Sequence, residues 1–172
     1  MKILINAFHP DIESSTVNAA WIKAAEEAGF ATVNALYSRY PDWNIDVERE
    51  QALLMQHERI VFQHPLMWYS VPPLMKKWLD EVLTHGWAYG GTQQALAGKE
   101  WMTAVSTGEA QTAYSTDGGH NSSMQSLLSP MQKTTEYIGM TYLEPFILHG
   151  TAQASADDIR HSAQRYLRHI AQ

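Results

Sequence analysis

Five short apolar runs alternate along this chain with longer segments whose apolar residues recur at helical spacing. The runs are of the buried-strand type and cover residues 3–8, 31–36, 59–63, 101–106 and 142–149. A strand, a helix and a further strand form a βαβ unit, in which the two strands are parallel. The pattern therefore predicts an α/β fold, a doubly wound parallel sheet of five strands between two layers of helices.

The intervening segments carry the start and stop signals of helices. Helices are predicted over residues 17–28, 47–56, 72–84, 122–138 and 156–170. Gly29 and Gly139 follow two of them as stop signals, and Asp46 precedes another as an N-cap. Pro72 and Pro73 begin a helix rather than break one, because a proline in the first turn removes no intrahelical hydrogen bond.

Length and composition narrow the class of protein. The 172 residues fit one domain spanning residues 1–172, and there is no cysteine for a disulfide, a thiolate metal site or thiol chemistry. A net charge of −6 without a cluster of lysine and arginine argues against nucleic-acid binding.

The eight histidines are scattered and predict no metal site. The lack of cysteine is compatible with a reducing cytosol, and no apolar stretch approaches the roughly 20 residues of a membrane-spanning helix, so we expect a soluble, cytoplasmic protein.

Ligands of a doubly wound sheet bind beyond the carboxyl ends of its strands, which makes the loops after the strands the candidate sites. The first such loop, residues 9–18, carries hydroxyl side chains into a helix start, as a phosphate site requires. It lacks the glycine-rich signature of a dinucleotide fold and the lysine of a Walker motif, which leaves a monophosphate as the phosphate interpretation. The alternative is that its serine and threonine residues only cap the helix.

Two further loops hold aromatic, glycine and titratable residues. Residues 64–73 place Trp68 and Tyr69 in a proline-bounded loop, where they either cover a flat ligand or plug the end of the sheet. Residues 106–120 contain Gly108, which permits close approach to a ring. The same loop contains Tyr114 and His120, which either manage a proton or are ordinary surface residues. A loop that can bind a phosphate, aromatic side chains that can cover a ring and a glycine that lets the ring approach the backbone are together what a flavin site requires.

One residue and two stretches of this chain resemble those of a known protein family. The residue is His9, and the stretches are HPLMWYSVPPLMKKWLDEVLTHGWAYG from residue 64 and STGEAQTAYSTDGGH from residue 106. They resemble the NAD(P)H:quinone oxidoreductase family of flavodoxin-fold flavoproteins, in particular its short bacterial members, the ancillary oxidoreductases of glutathione-gated potassium-efflux systems. The resemblance extends over nearly the whole chain, including YPDWNID before the second helix and ALAGK before the fourth strand.

The resemblance implies a flavin cofactor, with FMN favoured over FAD, and a role for each loop. Tyr114 and His120 would be the catalytic residues, which stabilise the charge of the reduced flavin and relay a proton. The phosphate and ribityl chain would be surrounded by His9, Ser15, Thr16, Val17 and Asn18. The isoalloxazine would be flanked and bordered by Leu66, Met67, Trp68, Tyr69, Ser106, Thr107, Gly108 and Glu109.

The activity implied is two-electron ping-pong transfer from NAD(P)H through the flavin to a quinone or a similar acceptor. The resemblance also implies a homodimer with its sites at the interface, where Tyr89 would line the substrate pocket of the opposite subunit. The alternative is a regulatory ancillary subunit that senses redox state on a potassium-efflux membrane protein, which would hold it at the inner face of the cell membrane. A third interpretation, a small electron carrier, fits less well because the acidic excess is modest and scattered.

Three positions depart from the pattern of this family. Glu109 replaces a second glycine, and a carboxylate near a flavin that becomes anionic on reduction is expected to make reduction less favourable. Met67 stands where many relatives have glutamine, which matters little if the loop binds through its backbone. Gly91 stands where longer relatives have another pocket aromatic.

Overall fold

A computed structural model describes residues 1–92 and 94–172 of the chain. Within these ranges the sheet is parallel and contains six strands: β1 (Ile3–Ala7), β2 (Ala31–Ala35), β3 (Arg59–Pro65), β4 (Glu100–Ser106), β5 (Thr141–Tyr142) and β6 (Phe146–Leu148). The order across the sheet is β2, β1, β3 and β4, with β5 and β6 both paired to β4. The first four predicted strands are confirmed to within about two residues at each end.

The fifth strand position is divided between β5 and β6, which lie end to end along β4. Trp101 pairs with Tyr142 and Ala104 pairs with Phe146. Three steps along β4 are therefore matched by four steps from β5 to β6. The extra residue makes a bulge, and Pro145 within it has no N–H to give to the ladder. The single strand predicted over residues 142–149 is therefore interrupted, although the sheet keeps five strand positions.

Helices cover both faces of the sheet. In the described part of the chain they are α1 (Val17–Ala28), α2 (Leu36–Arg39), α3 (Val47–Met55), α4 (Pro73–Val82), α5 (Met124–Tyr137) and α6 (Ala156–Ala171). Gly29 ends α1 with a φ of 69°, and the Asp46 side chain caps α3 by accepting from Arg49 N at 3.0 Å, both as predicted. The short α2 is not predicted, because Leu36 continues the apolar run of β2.

Two apolar cores lie on opposite faces of the sheet and give the expected three layers. Leu4 and Phe62 belong to the face covered by α3, α4 and α5, whereas Ile5 and Val61 belong to the face covered by α1 and α6. Three tryptophans are fully buried in these cores, namely Trp21, Trp78 and Trp101. No helix in the described ranges is long and apolar enough to cross a membrane.

A buried carboxylate ties α3 to the sheet and to α4. Glu50 is 1% exposed and accepts hydrogen bonds from Asn34 Nδ2 (2.9 Å), Tyr40 Oη (2.8 Å) and Trp78 Nε1 (2.9 Å). Arg49, which is partly exposed, contacts the same carboxylate. Burial, together with the hydrogen bond to Glu50, raises the pKa of Tyr40 to about 12 and so keeps its hydroxyl protonated as a donor. One buried charge is thus met by four donors.

His64, near the carboxyl end of β3, is another buried titratable group. Its Nδ1 lies 2.9 Å from Pro65 O, and its Nε2 has no hydrogen-bond partner among the described residues. Burial lowers the pKa of His64 from 6.5 to about 4. His64 binds a proton more readily in the unfolded chain than in the folded protein. The contribution of neutral His64 to the free energy of unfolding is therefore complete above about pH 6.5 and is lost as the pH falls toward 4.

We expect the His64→Leu variant to lose part of this acid sensitivity. When the pH falls from about 7 to about 4.5, proton binding by His64 should lower the free energy of unfolding of the wild-type protein by on the order of 2 to 3 kcal/mol. The variant has no imidazole at this position and should not show this part of the loss. Urea unfolding of both proteins at the two pH values measures the difference. If the two proteins lose the same stability on acidification, His64 is not its source.

Candidate active site

Two of the predicted loops meet at the carboxyl edge of the sheet. Loop 64–73 continues from β3 and loop 106–120 from β4, and these strands are neighbours. A cleft of about 200 Å³ lies between the loops. Its walls bring together seven of the residues singled out from the sequence, namely Leu66, Trp68, Tyr69, Gly108, Glu109, Tyr114 and His120.

Trp68 and Tyr69 are the central residues of a tight turn on one wall. Met67 and Ser70 exchange backbone hydrogen bonds of 3.0 and 2.9 Å across it. Both central residues have positive φ, 46° and 63°, as a type I′ turn requires, at a cost of about 1–3 kcal/mol for each bulky side chain. The turn directs Trp68 outward, where it is 91% exposed. The alternative that Trp68 plugs the end of the sheet is therefore wrong.

His120 lies among the polar groups of the cleft. Its Nδ1 is 3.2 Å from the Tyr69 hydroxyl, and its Nε2 is 3.6 Å from Glu109 Oε2. The Tyr114 ring lies beside the imidazole, with centroids 4.8 Å apart. Nε2 is buried and makes no hydrogen bond within the described residues, which leaves one unsatisfied polar atom in a residue that lines the cleft. Tyr114 and His120 therefore belong to one packed cluster and are not ordinary surface residues.

His149, which no sequence signal marks, supports the Gly108 loop from behind. Its Nδ1 lies 2.9 Å from Thr107 Oγ1, and the Thr107 hydroxyl donates its proton to Glu109 O at 3.0 Å. His149 is therefore the donor to Thr107 and carries its proton on Nδ1. Burial lowers the pKa of His149, which favours this neutral form. The His149 ring also packs beside Tyr114, with centroids 5.4 Å apart.

The first loop is joined to the third through Asn18 and Ser106. Asn18 is buried and its Nδ2 donates to Ser106 Oγ at 3.0 Å. Ser15 Oγ accepts from Asn18 N at 3.0 Å, so the capping interpretation is correct for Ser15. Thr16 is exposed and makes no capping bond through its side chain, whereas Val17 is buried. The Thr16 hydroxyl at the N-terminus of α1 is thus available to a phosphate.

His9 offers a donor in the loop before this helix. Its Nδ1 accepts from Asp11 N at 3.2 Å. Burial lowers the pKa of His9, so the ring is neutral near pH 7 and carries its proton on Nε2. A ring N–H, a free hydroxyl and the positive end of the α1 dipole are suitable groups for a monophosphate.

Tyr89 does not line the cleft of its own chain. It is half-buried beside His85 and Tyr137, with ring centroids 5.6 and 5.5 Å apart. Trp87, two residues earlier, is half-buried as well. A contact between Tyr89 and a substrate in this cleft would need a second copy of the chain.

Two histidines outside the cleft have structural partners. His57 lies 2.8 Å from Leu53 O and 2.9 Å from Thr32 Oγ1, and His169 Nε2 lies 2.9 Å from Glu144 O. Residues 1–92 and 94–172 hold no group of three or more histidine, aspartate or glutamate side chains that could bind a metal ion.

Comparison with known proteins defines the class to which this fold and site belong. A family profile described as flavodoxin-like fold matches residues 1–170. The chain belongs to this family, and the predicted fold class is confirmed.

Relatives define the class more narrowly. The chain is 50% identical over its full length to general stress protein 14 of Bacillus subtilis, of which it covers 98%. It is 45% identical over 99% of its length to an uncharacterized NAD(P)H oxidoreductase, YrkL, of the same organism, of which it covers 98%. It is 41% identical over 96% of its length to the glutathione-regulated potassium-efflux system ancillary protein KefG of Escherichia coli, of which it covers 90%. These names confirm the resemblance found at His9 and in the two stretches.

Solved structures give the same result. General stress protein 14 of Treponema denticola, in complex with FMN, superposes with a TM-score of 0.93 at 40% identity, over 99% of this chain and 97% of that one. An NADPH-quinone reductase of P. pentosaceus superposes with a TM-score of 0.90 at 30% identity, over 99% of this chain and 98% of that one. One similar protein therefore binds FMN, and another is named for reduction of quinones by NADPH.

Proposed function

We propose that the protein is an FMN-dependent NAD(P)H:quinone oxidoreductase that transfers two electrons by a ping-pong route. The observation that carries this proposal is the strained turn at Trp68 and Tyr69, which holds two aromatic side chains beside a cleft whose other wall contains Tyr114 and His120. The relatives named NAD(P)H oxidoreductase and NADPH-quinone reductase support the activity. The FMN complex of a similar protein supports the cofactor.

The residues of the cleft suit the flat, amphipathic ring of a flavin. Apart from Gly108 and its two chain neighbours, no described residue has an atom within 4 Å of the position that a Cβ on Gly108 would take, which leaves room beside this backbone for a ring. The ring would be held by Leu66, Met67, Trp68, Tyr69, Ser106, Thr107, Gly108 and Glu109. The phosphate and ribityl chain would be held by His9, Ser15, Thr16, Val17 and Asn18. The monophosphate character of this loop favours FMN over FAD.

FMN, when bound, supplies the chemistry of accepting a hydride from NAD(P)H and of giving two electrons to a quinone. The protein's contribution is to orient the reactants and to manage protons. The Tyr69 hydroxyl at Nδ1 orients the His120 ring, whose Nε2 is free to hold a proton at the cleft. Tyr114 provides a hydroxyl donor for developing negative charge. Glu109 is exposed and lies 3.6 Å from Nε2, so it offers an acceptor between His120 and solvent.

Residues 1–172 would act as one domain, and two copies would form a homodimer with the sites at its interface. Tyr89 supports this arrangement, because it lies outside the cleft of its own chain and would line the substrate pocket of the opposite subunit. Interfaces are enriched in such half-buried aromatic residues. Sedimentation of the FMN-loaded protein distinguishes a dimer from a monomer.

Steady-state oxidation of NADH and NADPH by the FMN-loaded protein tests the proposed activity. With a benzoquinone as acceptor, we expect saturable turnover and parallel lines in double-reciprocal plots, as a ping-pong route requires. Bound FMN that neither nucleotide reduces would contradict the proposal and would instead favour a small electron carrier.

A regulatory role is the second candidate, and the similarity to an ancillary protein of a potassium-efflux system favours it. In this role the protein would be cytoplasmic and would dock on the inner face of the cell membrane through that partner, with flavin occupancy reporting redox state. Potassium efflux from cells that have or lack the chain tests this role. Equal efflux in both would count against it without affecting the enzymatic proposal.

A further inference from the structure

Another cleft lies on the far side of the first loop from the flavin cleft. It measures about 430 Å³. One wall is the loop itself, residues 9–13, and the other is the segment after β2, which contributes Tyr37, Ser38, Pro41 and Trp43. His9 therefore lies both in the proposed phosphate site and in this cleft, which makes the two sites adjacent.

Trp43 is held in this cleft by a strained backbone. Its φ is 62°, its N–H donates to Tyr40 O at 3.0 Å, and the residue is 39% exposed. The Tyr37 ring meets it edge to face, with centroids 6.0 Å apart. In the described ranges, the other residues besides glycine with positive φ are Trp68 and Tyr69 on the flavin cleft and Asn121 next to His120. Strain of this kind is retained where a ligand is clamped, and an exposed tryptophan face suits a nucleobase.

The charge of this cleft selects among nucleotides. Asp11 and Glu13 line it, whereas no lysine or arginine does so within residues 1–92 and 94–172. Hydrogen bonds from Ser14 lower the pKa of Asp11, so this carboxylate is charged near pH 7. Carboxylates accept hydrogen bonds from ribose hydroxyls, whereas they repel a phosphate carried on the ribose 2′-oxygen. The cleft therefore suits an adenosine with a free 2′-hydroxyl.

We propose that this cleft binds the adenosine of NADH while its nicotinamide lies in the flavin cleft. This inference rests on the proposed function. The cleft lies at the ends of β1 and β2 and the flavin cleft at the ends of β3 and β4, so about two strand spacings, roughly 10 Å, separate them. An extended dinucleotide spans such a distance. The charge of the cleft makes NADH the preferred nucleotide over NADPH.

The Trp43→Leu variant tests the cleft, with reduced nicotinamide mononucleotide as a second substrate that lacks adenosine. We expect KM for NADH to rise about tenfold, as loss of stacking on a base predicts, while kcat and the KM for the mononucleotide stay unchanged. Phe30→Leu is the matched control, because Phe30 is also 39% exposed but precedes β2 at the opposite edge of the sheet. Equal KM values for NADH in wild type and Trp43→Leu would overturn the inference.

Direct binding separates this inference from the proposed activity. Calorimetric titration of the FMN-loaded protein with ADP-ribose should give an affinity about tenfold weaker in Trp43→Leu, and ADP-ribose 2′-phosphate should bind wild type more weakly than ADP-ribose. Equal binding by both proteins, or release of FAD rather than FMN from the purified protein, would overturn the inference. If ADP-ribose binds as expected but neither NADH nor the mononucleotide is oxidised, the proposed activity fails and the cleft stands.

Discussion

The double variant Tyr114→Phe, His120→Ala should reduce quinones about 100-fold or more slowly than wild type while keeping its FMN. The reason is that a positioned acid or base contributes about 10²–10⁴-fold, and these two side chains supply a hydroxyl donor and a titratable ring at the cleft. FMN should stay bound because its proposed contacts lie mainly in the first loop and in the turn at Trp68 and Tyr69. The measurement is kcat/KM for NADH with a benzoquinone, together with the flavin content of each preparation.

His161→Ala is the control for this variant, because His161 is an exposed histidine on α6, outside the cleft. It should behave as wild type in both measurements. Loss of FMN from the double variant would mean that Tyr114 and His120 hold the cofactor rather than manage protons. Unchanged turnover with FMN bound would remove both residues from the mechanism.

Glu50→Ala should lower the free energy of unfolding by about 3–5 kcal/mol. Breaking a buried ion pair has a cost of this size. The change also leaves the Tyr40 hydroxyl and Trp78 Nε1 buried without their acceptor, and Asn34 Nδ2 keeps only its hydrogen bond to Asn6 Oδ1. Urea unfolding followed by circular dichroism measures this loss near pH 7.

Two controls make the Glu50 prediction specific. Glu50→Gln keeps the volume and one carbonyl acceptor, so it should lose less stability than Glu50→Ala. Glu26→Ala removes an exposed carboxylate from α1 and should change stability by no more than about 0.5 kcal/mol. If Glu50→Ala is as stable as Glu26→Ala, the buried network does not hold α3 against the sheet.

The ends of helices could be predicted from the sequence where a single residue type starts or stops the helix. Gly29 supplies the left-handed residue that ends α1, and Asp46 supplies the cap that begins α3. Pro73 begins α4, one residue after the predicted start. Pro145 is a local signal against the continuous strand predicted over residues 142–149, but the pairing of β5 and β6 with separate parts of β4 depends on register, which no single residue determines. Pairing between distant segments is not visible in the spacing of apolar residues.

The site is only partly visible in the sequence for the same reason. Trp68 and Tyr69 are marked by their proline-bounded loop, but a type I′ turn usually carries Asn-Gly, so neither residue indicates the turn that exposes them. His149 approaches Thr107 only because β6 pairs with β4. The role of Ser15 as a cap, by contrast, follows from residue type alone. Local chemistry was therefore predictable, whereas contacts made across the sheet were not.

Release of the bound cofactor by boiling the purified protein tests the central claim most directly. The flavin in the supernatant, identified by chromatography and mass, should be FMN in an amount close to that of the protein. Such a result would agree with the cleft between the loops after β3 and β4 and with the monophosphate site before α1. A protein that carries no flavin, and takes up none when reconstituted with FMN, would contradict the claim.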